Sequence, residues 1–359
     1  MTMKTLPKVL LIVLSSLAGL VVILALVAGG YILNNLHYSD WGMRGVRRAG
    51  FQEKNATING TSLRYAEGPD NGPALLLIHG QTTDWQDYFT VLPELSRRFH
   101  VFAVDCHGHG GSEKDEAKYS ANAMGRDFAA FITRVIGESA IVSGHSSGGL
   151  LAVWLAANAP ESVSGVVLED PPLFSCEMPR YMKTFAYWDT SLTCHNFLGQ
   201  SAERDFSLYY IENCSWMKFF GKAQRPITDL AISYRKSHPA EPLKIFFFPP
   251  SMNESFRALD AYDPRFGDTF YDGSWNTDFD HAQALERIRC PAILIHASWQ
   301  YDAQGILLAA MDGSDAARAV SLIRGCTLVE VKSGHDVHLE HPRDFIKAVE
   351  ALGERLRNG

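Results

Sequence analysis

The chain has 359 residues, 46% of them hydrophobic, which is enough to bury one large core or two modest ones. Its formal net charge of −7 provides no basic footprint for nucleic acid. The six cysteines, Cys106, Cys176, Cys194, Cys214, Cys290 and Cys326, include no CxxC pair, so zinc or thioredoxin-like chemistry has no support from spacing.

The first element is an apolar run. No charged residue occurs from Val9 to Leu36, and Val9 to Val27 is almost wholly aliphatic, with Lys4 and Lys8 ahead of it. About 20 such residues cross a bilayer, and the run exceeds the usual core of a cleaved signal peptide. Residues 1–36 are therefore expected to form an uncleaved, single-pass membrane anchor, with a signal segment as the competing reading. Lys4, Lys8 and the terminal amine favour an inside N-terminus and an extracytoplasmic body, although Arg44, Arg47 and Arg48 lie beyond the other end. Residues 37–53 read as a linker.

Beyond it, Ala56–Ile58 and Ser62–Tyr65 flank Asn59-Gly60, a hairpin signal. Ala74–Ile78 and His100–Val104 are short apolar runs of the kind buried in parallel sheets, separated by a helical stretch from Asp84 to Phe99. A helix is expected over Ala121–Ile136, with Met124, Phe128, Phe131 and Ile132 on one face. Next come the strand-like Ala140–Ser143, the sequence Gly144-His145-Ser146-Ser147-Gly148, and helix formers from Leu150 to Ala157. Another strand is expected over Val163–Leu168, ending at Glu169-Asp170-Pro171-Pro172. From Pro172 to Leu285 the alternation breaks and aromatic residues accumulate, as in an inserted, mainly helical cap. Three of the cysteines, Cys176, Cys194 and Cys214, share this segment, where a disulfide is possible. Strands at Ala292–Ile295 and Thr327–Val331 and helices at Ala316–Leu322 and Pro342–Leu356 then complete an α/β pattern with right-handed crossovers. The expected units are 54–171 and 286–359 for the core and 172–285 for the cap.

Four separated motifs, His79-Gly80, Asp105–Ser112, Gly144–Gly148 and Ser333-Gly334-His335, each follow an expected strand. From about Ala56 onward the chain resembles the α/β-hydrolase superfamily, which implies a mostly parallel, doubly wound sheet with an inserted helical cap. In that family the catalytic order is serine, acid, histidine. The resemblance places the acid after Ala292–Ile295. There Ala297 replaces a customary glycine, and Asp302 requires a loop about two residues longer than usual. Asp170 is the alternative acid. The resemblance also implies an oxyanion hole from the backbone N–H groups of Gln81 and Ser147.

The chemistry has its own logic. A serine hydroxyl needs an adjacent base, and a histidine can take its proton and return it to a leaving group. Ser146 stands at a strand–turn–helix apex, and His335 follows the last strand on a Ser-Gly turn, so both belong at one sheet edge. His338 and His341 are nearby alternatives as the base, while His145 is expected beneath the elbow without a proton-transfer role. A serine at this position, rather than the aspartate of epoxide hydrolases and haloalkane dehalogenases, implies an acyl-enzyme route. The expected enzyme is a carboxylesterase or lipase-like serine hydrolase acting on a hydrophobic small-molecule acyl substrate, with no metal or organic cofactor. An aminopeptidase or cofactor-free perhydrolase is the alternative within enzymes, and a non-catalytic binding protein of the same fold is the alternative of another class.

Overall fold

The computed structural model describes residues 6–358, with side chains from Leu10 onward. The terminal amine, Lys4 and the side chain of Lys8, which underlie the expected orientation, lie outside the described residues. Helix α1 spans Leu6–Arg48. Its most apolar 18-residue window has a mean hydropathy of 3.0 and none of it is buried against the body, so it is the one helix among the described residues long and apolar enough to cross a membrane. The linker expected over 37–53 is instead mostly helix. α1 runs unbroken to Arg48, and Tyr38, Met43 and Val46 bury their side chains in the body. Gly42 permits this approach, because a Cβ there would collide with the ring of Phe89.

Strands β1 (Gln52–Ile58) and β2 (Thr61–Glu67) form the hairpin, with Asn59 and Gly60 at positive φ as a two-residue turn requires. β3 (Ala74–Ile78) and β4 (His100–Val104) follow, joined through a 3₁₀ helix at Trp85–Thr90 and one helical turn at Leu92–Leu95. Next come α2 (Ala121–Phe131), extended by a π turn to Ile136, β5 (Ala140–His145), α3 (Ser147–Asn158) and β6 (Val163–Glu169). The inserted segment contains α4 (Leu192–Leu198), α5 (Phe206–Asn213), α6 (Gln224–Ser237), α7 (Pro250–Arg257) and α8 (Pro264–Tyr271). α9 (His281–Arg287) returns to pack on α3. β7 (Ala292–His296), α10 (Gly313–Leu322), β8 (Thr327–Glu330), a single turn at Val337–Glu340 and α11 (Pro342–Arg357) close the chain.

The eight strands lie in the order β1-β2-β4-β3-β5-β6-β7-β8, with the β1–β2 and β2–β4 pairs antiparallel and the other five pairs parallel. The unbroken apolar runs follow from burial on both faces. Along β3, Leu76 and Ile78 face α2 and α3, whereas Leu75 and Leu77 face Tyr88, Leu92 and α11. All six cysteines carry free thiols, so the disulfide considered for the cap does not form. The parallel strands β3 to β8 deliver their C-terminal ends to one edge, where the loops converge.

Candidate active site

β5 ends at His145 and α3 begins at Ser147, leaving Ser146 at the apex with φ 53° and ψ −122°. Such a backbone is strained for any residue with a side chain and persists only where its surroundings enforce it. Here the enforcement is close packing. A Cβ on Gly144 would collide with the carbonyl oxygen of Gly148, and one on Gly148 with that of Ile78. The Ser146 N–H donates to the carbonyl of Glu169 at 3.0 Å, tying the apex to β6.

Asp170 immediately follows β6, is buried, and also has a positive φ. Its Oδ1 accepts from the Ala297 N–H at 3.3 Å, and its Oδ2 faces His335 Nδ1 at 2.7 Å. This fixes the imidazole with Nδ1 toward the acid, leaving Nε2 as its other proton-carrying position. Burial opposes a charge on His335, but the hydrogen bond and charge of Asp170, aided by Asp336 and Glu169, push it up to about 9. Ser146 and His335 line the same cavity.

Asp302, the acid expected from loop position, is elsewhere. Residues 300–308 fold back on themselves, with the Asp302 N–H bonded to Ile306 O at 3.0 Å and Leu307 paired with the cap at Lys183–Phe185. The Asp302 carboxylate accepts from the N–H groups of Gln304 and Ile306 at 2.9 and 2.8 Å. The longer loop makes a self-capped turn, and Asp170 occupies the place beside His335. Of the other histidines, His341 is exposed and faces Asp344 at 3.6 Å, and His338 is fully buried among carboxylates.

The loop after β3 is held by His79, whose Nδ1 meets Gly80 O at 2.6 Å while Nε2 accepts from the Cys106 N–H at 3.0 Å. Gln81 follows and lines the cavity, and its side chain receives a hydrogen bond from Tyr262 at 3.2 Å. Ser147, at the first position of α3, has a backbone N–H without an intrahelical partner, as every helix start does. The Asp105–Ser112 loop is structural. Its Asp105 carboxylate accepts from Trp85 and Gly111 at 2.8 and 2.7 Å.

The cavity measures about 420 Å³. Tyr181, Phe185, Tyr210, Trp216 and Phe219 from the inserted segment form its upper wall, so some of the aromatic residues there line a pocket while others, such as Phe266, fill the segment's own core.

Behind the elbow lies a charged cluster that the motifs did not announce. His338 Nδ1 faces both oxygens of Glu169, at 2.8 and 3.0 Å, and Nε2 stands 3.2 Å from Asp87 Oδ2. Burial penalises the His338 charge, but Glu169 and Asp87 on either side push it well above the ordinary histidine value. Burial would likewise raise Asp87, yet the neighbouring His338 charge holds it down to about 2. His145 lies against both rings and is held down to about 3, first by burial and then by His335. Of these, only His338 and His145 stand in or beside the sequence motifs; Asp87 and Glu169 carry no local signal.

A parallel sheet with a serine elbow, a histidine–aspartate pair and a helical insertion defines the class of α/β hydrolases. The family model described as "Alpha/beta hydrolase family" matches residues 75–348, and the chain belongs to that family. Over 100 residues it is 39% identical to 2-(acetamidomethylene)succinate hydrolase of Mesorhizobium japonicum, covering 28% of this chain and 36% of that protein. Fluoroacetate dehalogenase of a Burkholderia species is 31% identical over 147 residues, 39% of this chain and 48% of that one. The chain thus spans less than half the length of these relatives. A solved structure described as a membrane phospholipase A and bacterial virulence factor superposes with a TM-score of 0.61 at 21% identity, covering 99% of this chain and 100% of that one. At that identity the likeness establishes the fold alone.

Proposed function

We propose that this protein is a membrane-anchored serine hydrolase that cleaves carboxylic esters of hydrophobic acyl groups, with Ser146 as nucleophile, His335 as base and acid, and Asp170 as the orienting carboxylate. The observation that carries this reading is the 2.7 Å pairing of His335 Nδ1 with Asp170, opening on the cavity that Ser146 also lines. In the first half-reaction Ser146 Oγ bonds to the acyl carbon while its proton passes to His335 Nε2. The alcohol then departs with that proton, leaving an acyl-enzyme. Water repeats the sequence and releases the acid. The negative oxygen formed each time is served by the backbone N–H groups of Gln81 and Ser147, the latter at a helix start where the dipole favours negative charge.

Serine at the elbow favours this acyl-enzyme route over the elbow-aspartate chemistry of haloalkane dehalogenases that share the fold. The aromatic wall of the cavity favours an apolar acyl chain, and α1 would hold the site near lipid. No step requires a cofactor. The test is labelling of the purified full chain by a fluorophosphonate probe, alongside Ser146→Ala, Asp170→Asn and Asp302→Asn. Labelling should vanish in Ser146→Ala, slow by a factor of about 10⁴ in Asp170→Asn, and persist in Asp302→Asn. A folded but unlabelled parent would sink the reading in favour of a binding protein.

A further inference from the structure

We propose that Asp87, His145 and His338 form a binding site for a divalent transition-metal cation of the zinc class, in the floor of the cavity beneath the elbow. The three come from the 3₁₀ helix at Trp85–Thr90, the end of β5 and the turn at Val337–Glu340, and each is buried. One ligand atom from each lies within 4.8 Å of the other two.

Those atoms make no hydrogen bond of regular geometry within the protein. Both oxygens of Asp87, Nδ1 of His145 and Nε2 of His338 are buried with no hydrogen-bond partner. Asp87 and His338 approach to 3.2 Å yet are misaligned, as expected of groups aimed at a common point rather than at each other. Two ligands at about 2.0–2.1 Å from a tetrahedral centre stand roughly 3.3 Å apart, which matches that separation.

The outer contacts prepare both imidazoles as ligands. His338 Nδ1 faces the Glu169 carboxylate, so its N–H points there and Nε2 presents the lone pair. His145 Nε2 faces His335 O at 3.2 Å and Asp336 Oδ1 at 3.4 Å, so its N–H points that way and Nδ1 presents the lone pair. A carboxylate behind a histidine ligand is the usual support of such sites. Two imidazoles and one carboxylate suit a borderline cation such as zinc and disfavour calcium or magnesium, which prefer oxygen. Charge also balances: a dication offsets Asp87 and Glu169, and its binding displaces to solvent the proton that His338 Nε2 would otherwise share with Asp87. Because Asp87 and His145 line the cavity, an ion has a path inward and water can supply a fourth ligand. The site would tie three distant segments together under Ser146, and the acyl transfer described above does not pass through it.

The experiment uses the full chain in detergent micelles, dialysed against chelator and titrated with Co(II), with Zn(II) as competitor. One equivalent of Co(II) should bind with the visible absorption of a four-coordinate site, and zinc should displace it. Asp87→Asn and His338→Gln should weaken binding at least about 100-fold and Glu169→Gln about 10–100-fold, while Asp302→Asn should leave it unchanged. Independently of any variant, the Co(II) form should show two paramagnetically shifted imidazole N–H resonances by proton NMR, one each from His145 and His338. Absence of stoichiometric binding, binding that survives both ligand substitutions, or fewer than two such resonances would overturn the proposal.

Discussion

His335 is partly exposed at the cavity, and its partner Asp170 is buried behind it. That pairing governs the pH dependence expected of acyl transfer. The base must be neutral to accept the serine proton, and Asp170 favours the charged form, raising His335 to about 9. The neutral fraction, and with it kcat/KM, should therefore rise with pH until about 9 in chelator-treated protein, where no cation bears on the adjoining His145. Asp170→Asn removes the charge that holds the proton, so the alkaline-rising limb should move to lower pH while its plateau falls by a factor of about 10⁴, as removing a triad carboxylate does. A pH–rate profile of the two proteins on a soluble ester decides it; an unmoved limb in Asp170→Asn would deny that Asp170 tunes this base.

At the scale of elements, the seam between α1, the inserted segment and the core is held by buried charge. Arg257 on α7 forms two hydrogen bonds to Asp84 of the core and one to Glu254, and Tyr38 of α1 donates to Glu254 at 2.7 Å. Burial raises the Glu254 carboxyl to about 7 despite the arginine. Arg257→Met would leave Asp84 and Glu254 buried without their cation, and removing one partner of such a network costs about 3–5 kcal/mol. Tyr38→Phe leaves one Glu254 oxygen unserved, for about 1–3 kcal/mol. Denaturant unfolding of the full chain in micelles should rank the two in that order, and equal midpoints to the parent would show the seam to be energetically idle. The seam also explains why residues 37–48 are not a linker: Tyr38, Met43 and Val46 gain more from burial in the body than a flexible tether would.

At the scale of the whole molecule, the body is joined to a helix whose stretch from Leu10 to Val27 is exposed and almost wholly aliphatic, while Tyr31 further along donates its hydroxyl to the Phe247 carbonyl of the body at 3.2 Å. An extracytoplasmic body, the orientation expected from Lys4 and Lys8, predicts that alkaline phosphatase fused after Gly359 is active and a fluorescent protein fused there is dark. The opposite pair of results would reverse the orientation. α1 docks on α7, and α7 contributes Glu254 and Phe256 to the cavity wall, so the helix proposed as the anchor and the site share one neighbouring element.

Much of this was legible in the chain itself. Fully buried parallel strands need unbroken apolar runs, a two-residue hairpin needs Asn59-Gly60, and the apex at Ser146 needs glycine two residues before and after it; each is a local requirement that leaves a local mark. The acid left none. Asp170 reads as a turn residue before Pro171 and Asp302 as the family acid, and only the self-capped fold of residues 300–308 and the reach from β6 to the last loop decide between them. The cluster of Asp87, His145, Glu169 and His338 is likewise invisible in sequence, because its members lie up to 251 positions apart and converge only when parallel strands bring their ends to one edge. Backbone periodicity and turn chemistry act over a few residues and can be read from order alone, whereas a partner for a buried charge is chosen by proximity in space.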